Sequence, residues 1–569
     1  MESFRIKLRA HITSLQSIYR TLSPERVLVV WTLLALSAIT LISACILMLM
    51  RYTDVVPTFG GTVREGIIGT PRFINPVLAT TEQDNNLTTL VYAGLTKRND
   101  GEEIVLDLAS SIISSEDGLR FDVTLKPDAA FHDGTRVTAD DIIYTIGLVQ
   151  NPNIKSPHRV EWEGVTLEKK SDTEFSISFR KPYPLAMNIF TLGILPKHVW
   201  KNLTDEQFSL SSYNINAIGS GPFKIDKVIT DAGIPVMFEL SSYKRYTLGR
   251  PYIDKISITT YQNERYALQA FKDGDIDRIH SITPEKVMSL DVSTSSIQTS
   301  LLPRTFTVFF NPNKADFLSD KTVRRALNMA IDKQAIVDTV LLGYGKVVET
   351  PYPFDTDQPA PAYNPEEAEK LLATTKYAPK ASSTLSITLA TGNSDDMRRV
   401  AEMIQADWAK IGVTTELAVY EYADLNQSVI RDRNYQALLF GTISSSPTDL
   451  YAFWHSSQRN YPGLNISNYV SNSLDTDLTT LRNEIDPVAR AEAYTSVKDE
   501  FYEETPGIFL FAPSLIYITR DKITTPLPAT SLDTSSRFTR STEWYRYTER
   551  VWKNTYYKPL LTILQNSIH

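Results

Sequence analysis

The sequence predicts an α/β protein held behind one membrane-crossing helix, and three observations carry the prediction. Short runs such as residues 119–125 and 173–179 alternate apolar and polar positions, the period of a half-buried strand. Other runs repeat apolar residues at helical spacing: in "SDKTVRRALNMAIDKQAIVDTVL" the stripe is Val323, Leu327, Ala330, Ile331, Ile336, Val337 and Val340. Residues 27–50, "VLVVWTLLALSAITLISACILMLM", hold 24 consecutive positions without a charge.

As a helix, those 24 residues rise about 36 Å, enough to cross the hydrocarbon core of a bilayer. Residues 1–26 ahead of them carry five basic side chains against Glu2 and Glu25, while the chain as a whole has a formal net charge of −8. The positive-inside rule then puts 1–26 in the cytoplasm and everything from residue 51 on the extracytoplasmic side of a cell membrane. The single cysteine, Cys45, sits in "ISAC", which resembles the lipobox of bacterial lipoproteins, so cleavage and lipidation at Cys45 is the alternative to an uncleaved signal anchor. The apolar run continues through "ILMLM" beyond Cys45 and is long enough to span, which favours the anchor. With no second cysteine there is no disulfide framework, and stability must come from the core. An acidic body without a basic stripe argues against nucleic acid as a partner.

Residues 52–59, "YTDVVPTF", read as a linker, and the 569-residue chain leaves room after it for two to four folded units. The folded part opens near Gly60 with a strand in "GGTVREGIIGTPRFINP" that ends at a Gly/Pro turn. The alternating runs at 119–125 and 173–179 then suggest a small, mostly β unit with helices packed on it. Further on, "GSGPFKIDKV" and "KISITTY" read as strands and "NERYALQAFKDGDID" as an amphipathic helix ending at a glycine turn. Strand "RTFTVFFNP", the long helical stripe, a Pro-rich stretch and a helix at 366–372 follow. Helix "DMRRVAEMIQADWAKIG", strands "TTELAVY" and "YQALLFG", and helix "ARAEAYTSVKDEFYEE" continue in α/β style. The aromatic stretch "TEWYRYTERVWKNTYYKPLLTILQ" is compatible with a helix as far as Pro559 and can pack on the body or lie against the membrane surface, packing being the expectation.

The densest polar cluster, "FHDGTRVTADD", reads as structural. Asp133-Gly134 suits a tight hairpin turn, Thr138 suits a helix N-cap, and Asp140 and Asp141 suit the first helical turn, where carboxylates meet the helix dipole. His132 is left as a hairpin residue with a satisfied hydrogen bond. The chain has no HExxH, paired Cys/His spacing, GxSxG, P-loop or GxGxxG, so no catalytic residue, metal or cofactor is expected.

Several motifs occur together in a telling order: "LASSIISSEDGLRFDVTLKPDAAFHDGTRVTADDIIYTI", "IGSGPFKIDKV", "RPYIDKISI", "VRRALNMAIDKQAIVDTVLLGYG", "YNPEEAEKLL" and "YQALLFG". Over residues 60–519 the chain resembles the extracellular solute-binding proteins of family 5, the peptide- and dipeptide-binding components of bacterial ABC importers. The resemblance implies a two-lobed periplasmic-binding-protein clamshell with an inserted third domain, closing on its ligand by a hinge. On that map residues 1–26 are the cytoplasmic tail, 27–50 the transmembrane anchor and 51–59 the linker. Residues 60–91 and 216–300 form lobe I around the inserted domain, 92–215. Residues 301–514 form lobe II, 515–540 return to lobe I, and 541–569 form a C-terminal aromatic helix.

The resemblance also implies a small-molecule or peptide ligand, an ABC permease as partner, membrane attachment through the N-terminal helix, and a monomer that does no chemistry. A solute sensor signalling to a membrane partner is the first rival; an extracytoplasmic hydrolase using His132 or His455 is the second. The family holds peptide main chain on the segment after "YQALLFG", here "GTISSSPTDLYAFWHSS", which makes Gly441, Ile443 and Ser445 candidate contacts. Glu65, Arg72, Arg304, Phe306 and Trp454 are further candidates for the cleft. In peptide-binding members an aspartate follows the glycine by about four positions and pairs with the ligand's α-amino group; Ser445 stands there instead. The lost charge-assisted hydrogen bond is worth about 1.5–3 kcal/mol, so an uncharged or differently charged solute is an alternative to peptide. Asp449 can replace that acid only if the loop is rearranged.

Overall fold

The computed structural model describes residues 23–99, 103–290, 297–355, 363–378, 385–520, 523–528 and 530–553. The expected cytoplasmic tail lies outside them as far as residue 22, as does the end of the expected aromatic helix from residue 554. The chain forms two units, Phe59–Arg546 and a smaller one made of Met1–Thr58 with Tyr547–His569.

In the smaller unit the apolar run folds as a helix, Pro24–Tyr52, with Pro24 in its first turn and no residue buried. Cys45 is a free, exposed thiol on that helix. At its end Thr53 turns extended, and both its N–H and its hydroxyl donate to the Leu49 carbonyl. No linker follows. Thr53–Thr58 is a strand, paired antiparallel with Tyr547–Trp552. Two expectations are corrected here: residues 53–58 are a strand and not a linker, and residues 547–552 of the aromatic stretch are strand rather than helix. The cause is mutual. Each segment has extended-friendly Val, Thr, Tyr or Trp, and each supplies the backbone partners the other lacks, which outweighs a weak helical propensity.

The larger unit is built on a sheet that reads, edge to edge, Val413–Tyr420, Leu385–Gly392, Ala437–Ile443, Arg304–Phe310, Gly507–Thr519, Arg278–His280, Thr62–Ile68, Lys255–Tyr261, Ile234–Ser242 and Phe223–Asp231. Gly507–Thr519 holds the two halves together by changing partners along its length. Its first residues, Gly507 to Phe511, pair with Arg304–Phe310, and its last, Tyr517 to Thr519, pair with Arg278–His280. The changeover falls at Pro513, which has no N–H to give to a ladder. A second passage runs from the strand Ile297–Leu301 through Pro303 into Arg304–Phe310. The two passages are joined where Leu302 N–H donates to Pro513 O at 3.0 Å, and Ser444, just past strand Ala437–Ile443, donates its N–H to Pro303 O at 2.8 Å. Two lobes joined by two crossings are therefore observed.

The inserted region has its own four-stranded antiparallel sheet, ordered Ala109–Ser114, Arg120–Leu125, Glu174–Ser178, Thr166–Lys169. Phe121, Val123, Phe175 and Ile177 point into a core that also contains Val63, Phe238 and Ile256 of lobe I, so insert and lobe share one hydrophobic interior. Lobe II has a separate core around Val308, Leu389, Trp408, Leu439 and Leu510. The helix predicted as one stripe at 319–341 is two, Lys321–Met329 and Lys333–Val340. Asp332 breaks it by capping the second helix, its side chain accepting from Ala335 N–H at 2.9 Å, while its own N–H donates to Asp407.

"FHDGTRVTADD" folds as a turn and a helix start. Gly134 has φ +91°, Phe131 N–H donates to Thr135 O, and Asp141 Oδ2 accepts from both the N–H and the hydroxyl of Thr138 ahead of helix Ala139–Gln150. His132 reaches further. Its Nε2 donates to Gly221 O at 3.0 Å and its Nδ1 accepts from Gly219 N–H at 3.4 Å, pinning the turn to "GSGPF". That geometry needs the neutral ring, and desolvation pushes its pKa down to about 4.

Candidate functional site

The site is assembled from the loop that leaves strand Ala437–Ile443. Gly441 sits opposite Phe306 in the ladder, and a Cβ there would stand 2.9 Å from the Phe306 ring. Phe306 in turn stacks on Phe511 at 4.9 Å, so a side chain at 441 would have to displace that stacked ring. After the strand the chain turns sharply through Ser444, buried to 1% exposure, into the short turn Pro447–Asp449 and the helix Leu450–Trp454. Asp449 organises that turn: its Oδ2 accepts from Ser445 N–H at 2.8 Å and Ser446 N–H at 3.0 Å.

Ser445, Ser446, Thr448 and Asp449 form one wall of a cavity of about 430 Å³. The facing walls come from the other side of the molecule: Asn85 and Thr88 of helix Glu82–Val91, His158, Glu161, Tyr183 and Leu185 of the insert, and the 188–193 segment. A second cavity of about 380 Å³ shares Tyr183, Leu185, Thr448 and Asp449 and adds Tyr451, Gln458 and Arg482. The shared residues make the two cavities neighbouring parts of one interlobe cleft.

Its electrostatics are mixed. Burial raises the Asp449 carboxyl above the ordinary range, the two N–H donors pull it back, and Glu161 raises it further. Tyr183 is raised first by burial, then by Glu161 and Asp449, against the opposing pull of Arg482. His158 Nδ1 lies 3.2 Å from Glu161 Oε2. Arg482 lies over the Tyr451 ring at 4.5 Å, and Tyr451 stacks on His455 at 4.2 Å. A cleft of this kind can hold a solute with both charged ends and apolar parts. Among the described residues no group of three or more His, Cys, Asp or Glu is placed to hold a metal.

Of the residues expected at the cleft, Ser445 lines it. Gly441 and Phe306 lie behind it in the strand layer, while Ile443, half exposed, and Arg304, exposed, face each other across the same ladder. Three expectations are corrected. Glu65 is fully buried inside lobe I, where Arg537 Nε donates to its Oε1 at 2.6 Å and Tyr517 OH to its Oε2 at 2.9 Å. A buried carboxylate needs such partners, and here they are protein groups. Trp454 is 2% exposed, packed against Phe309, Phe501 and Phe509. Arg72 is exposed, 5.5 Å from its neighbour Phe73, and lines neither cavity of the cleft. Sequence reasoning missed His158, Glu161, Tyr183 and Arg482. They come from segments distant in sequence from "GTISSS", and nothing in their local pattern separates them from surface polar residues.

Two α/β lobes, two crossings and a polar cleft between them define a bilobal binding protein. The chain belongs to the bacterial extracellular solute-binding proteins, family 5, whose model matches residues 103–462. It is 27% identical over 479 residues to the oligopeptide-binding protein AppA of Bacillus subtilis, covering 80% of this chain and 87% of that protein. The structure of AppA from Bacillus subtilis in complex with a nonapeptide superposes with a TM-score of 0.63 at 25% identity, over 86% of this chain and all of that one. NikZ of Campylobacter jejuni, in complex with Ni(L-His), superposes with a TM-score of 0.65, also at 25% identity, over 86% of this chain and 99% of that one.

Proposed function

We propose that this protein is the membrane-tethered solute-binding component of an ABC importer, which closes its lobes on a peptide or similar small solute and delivers it to a permease without chemical change. The interlobe cleft at Ser445–Asp449 carries the reading, because its walls come from both lobes and a solute there would bridge them. The names of similar proteins support it: one relative is an oligopeptide-binding protein and one superposed structure holds a nonapeptide. The helix Pro24–Tyr52, left uncleaved, is the tether, with the larger unit on the extracytoplasmic side.

In this reading Asp449 takes over the ligand amine. The loop is folded so that its carboxylate stands in the same wall as Ser445, the position where the family's acid is missing. The ordering of Ser445 and Ser446 around one carboxylate oxygen leaves the acid anchored but still lining both cavities.

The test is direct. Full-length protein purified in detergent is denatured, released small molecules are identified by mass spectrometry, and binding of peptides two to nine residues long is followed by thermal shift and calorimetry. Retained peptides and a ligand-dependent rise in melting temperature are expected. If no small molecule is released and no peptide stabilises the protein, the peptide reading falls.

A further inference from the structure

The ribbon made by Thr53–Thr58 and Tyr547–Trp552 has two unlike faces. In its register Thr53 opposes Trp552, Val55 opposes Arg550 and Pro57 opposes Thr548, so these six share one face. That face exposes Trp552 (51%), Val55 (54%) and the Arg550 side chain, and carries no acid. The opposite face carries both acids, Asp54 and Glu549, with Lys553 3.8 Å from Asp54.

The ribbon is also welded to the helix. Thr53, 6% exposed, gives its N–H and hydroxyl to Leu49 O, and Arg550 Nη1 donates to Thr53 Oγ1 at 3.1 Å. The start of the ribbon is therefore fixed at the end of the helix. The uncharged run ends at Met50, and Arg51 and Tyr52 close the helix. Trp552 lies directly across from Thr53, about 5 Å away. The Arg550 backbone is one same-face step along the ribbon, about 7 Å, and its guanidinium reaches back to Thr53.

We infer that the Trp552–Arg550–Val55 face rests on the headgroup layer of the membrane the helix crosses, with the Trp552 indole and the Arg550 guanidinium both at the boundary where hydrocarbon meets the phosphates. The occupant follows from continuity with the apolar helix and from chemistry. Indole rings favour the boundary between hydrocarbon and headgroups, and guanidinium pairs with phosphate in a forked geometry. The acid-bearing face is turned the other way. The inference rests on the reading of Pro24–Tyr52 as an uncleaved membrane anchor.

The test uses the full chain in phosphatidylglycerol nanodiscs, with Trp552 isolated as the emission difference between wild type and Trp552→Phe. A lipid carrying a nitroxide on its headgroup should quench that difference at least twofold. Arg550→Gln should weaken the quenching, and more so in phosphatidylglycerol than in phosphatidylcholine discs. Emission that the lipid quencher leaves unchanged overturns the inference, whether aqueous acrylamide reaches Trp552, as in solvent, or not, as under a protein partner. The anchor is judged separately through Trp31 on the helix, using an acyl-chain quencher and Trp31→Phe. Quenched Trp31 with unquenched Trp552 removes this inference alone; unquenched Trp31 removes the anchor reading and this inference together.

Discussion

Asp449 binds two backbone donors on one oxygen and lines both cavities of the cleft, so it holds the turn and, in the proposed function, meets the ligand amine. Asp449→Asn keeps an acceptor for the turn but removes the charge. Peptides with a free amine should lose about 1.5–3 kcal/mol of affinity, roughly 10- to 150-fold, while N-acetylated ones change little, as read by calorimetry. Because burial raises this carboxyl, amine binding should weaken on acidification at a higher pH than an ordinary aspartate would give. His132 makes a second pH statement, about the fold. Its pKa near 4 lies below the usual 6.5, so the unfolded chain takes up a proton that the folded one resists. Stability should then be full above about pH 6.5 and fall as pH drops towards 4, by roughly 2–3 kcal/mol at most after solvent screening. Chemical denaturation at pH 4 and 7 should show that slope in wild type and a shallower one in His132→Gln.

Among the elements, the contact between "GSGPF" and the end of helix Glu82–Val91 is the tightest backbone approach near the insert. A Cβ on Gly219 would stand 2.1 Å from Val91 O, and Gly221 N–H donates to the same carbonyl at 2.8 Å. Gly219→Ala should cost about 3 kcal/mol or more, seen as a lower denaturation midpoint or loss of folded protein, since neither backbone has room to yield. Most elements were legible in the sequence because their signals are local. Alternation gave Arg120–Leu125 and Glu174–Ser178, and the glycine after "AFKD" ends Glu264–Asp273 with φ +83°. What was illegible depends on partners far along the chain. "YTDVVPTF" looks like a linker until residues 547–552 arrive beside it, and the same pairing turns an apparent aromatic helix into a strand. The cleft divides in the same way: the order of motifs pointed to "GTISSSPTD", whereas Glu161 and Tyr183 became visible only when the insert was folded against it.

On the scale of the molecule, both passages between lobes contain a proline, Pro303 in one and Pro513 in the other, and Leu302 N–H joins the first passage to Pro513 O. Fixed φ at both passages limits how the lobes can move and lowers the entropy of the unfolded chain. The double variant Pro303→Ala, Pro513→Ala should lose about 1–2 kcal/mol of stability in urea titrations and bind ligand more weakly, with more conformations to give up on closing. Closure by ligand at 100 times its Kd should in turn raise unfolding free energy by about 2.7 kcal/mol in the wild type. The ribbon has one more consequence, in the order of synthesis. Thr53 and Arg550 are 497 residues apart, so the strand that follows the apolar helix is made with its edge bare and waits for nearly the whole body to be synthesised. Once the second strand docks, that edge is covered; a chain stalled or clipped before residue 547 keeps it open to any other strand that can pair with it.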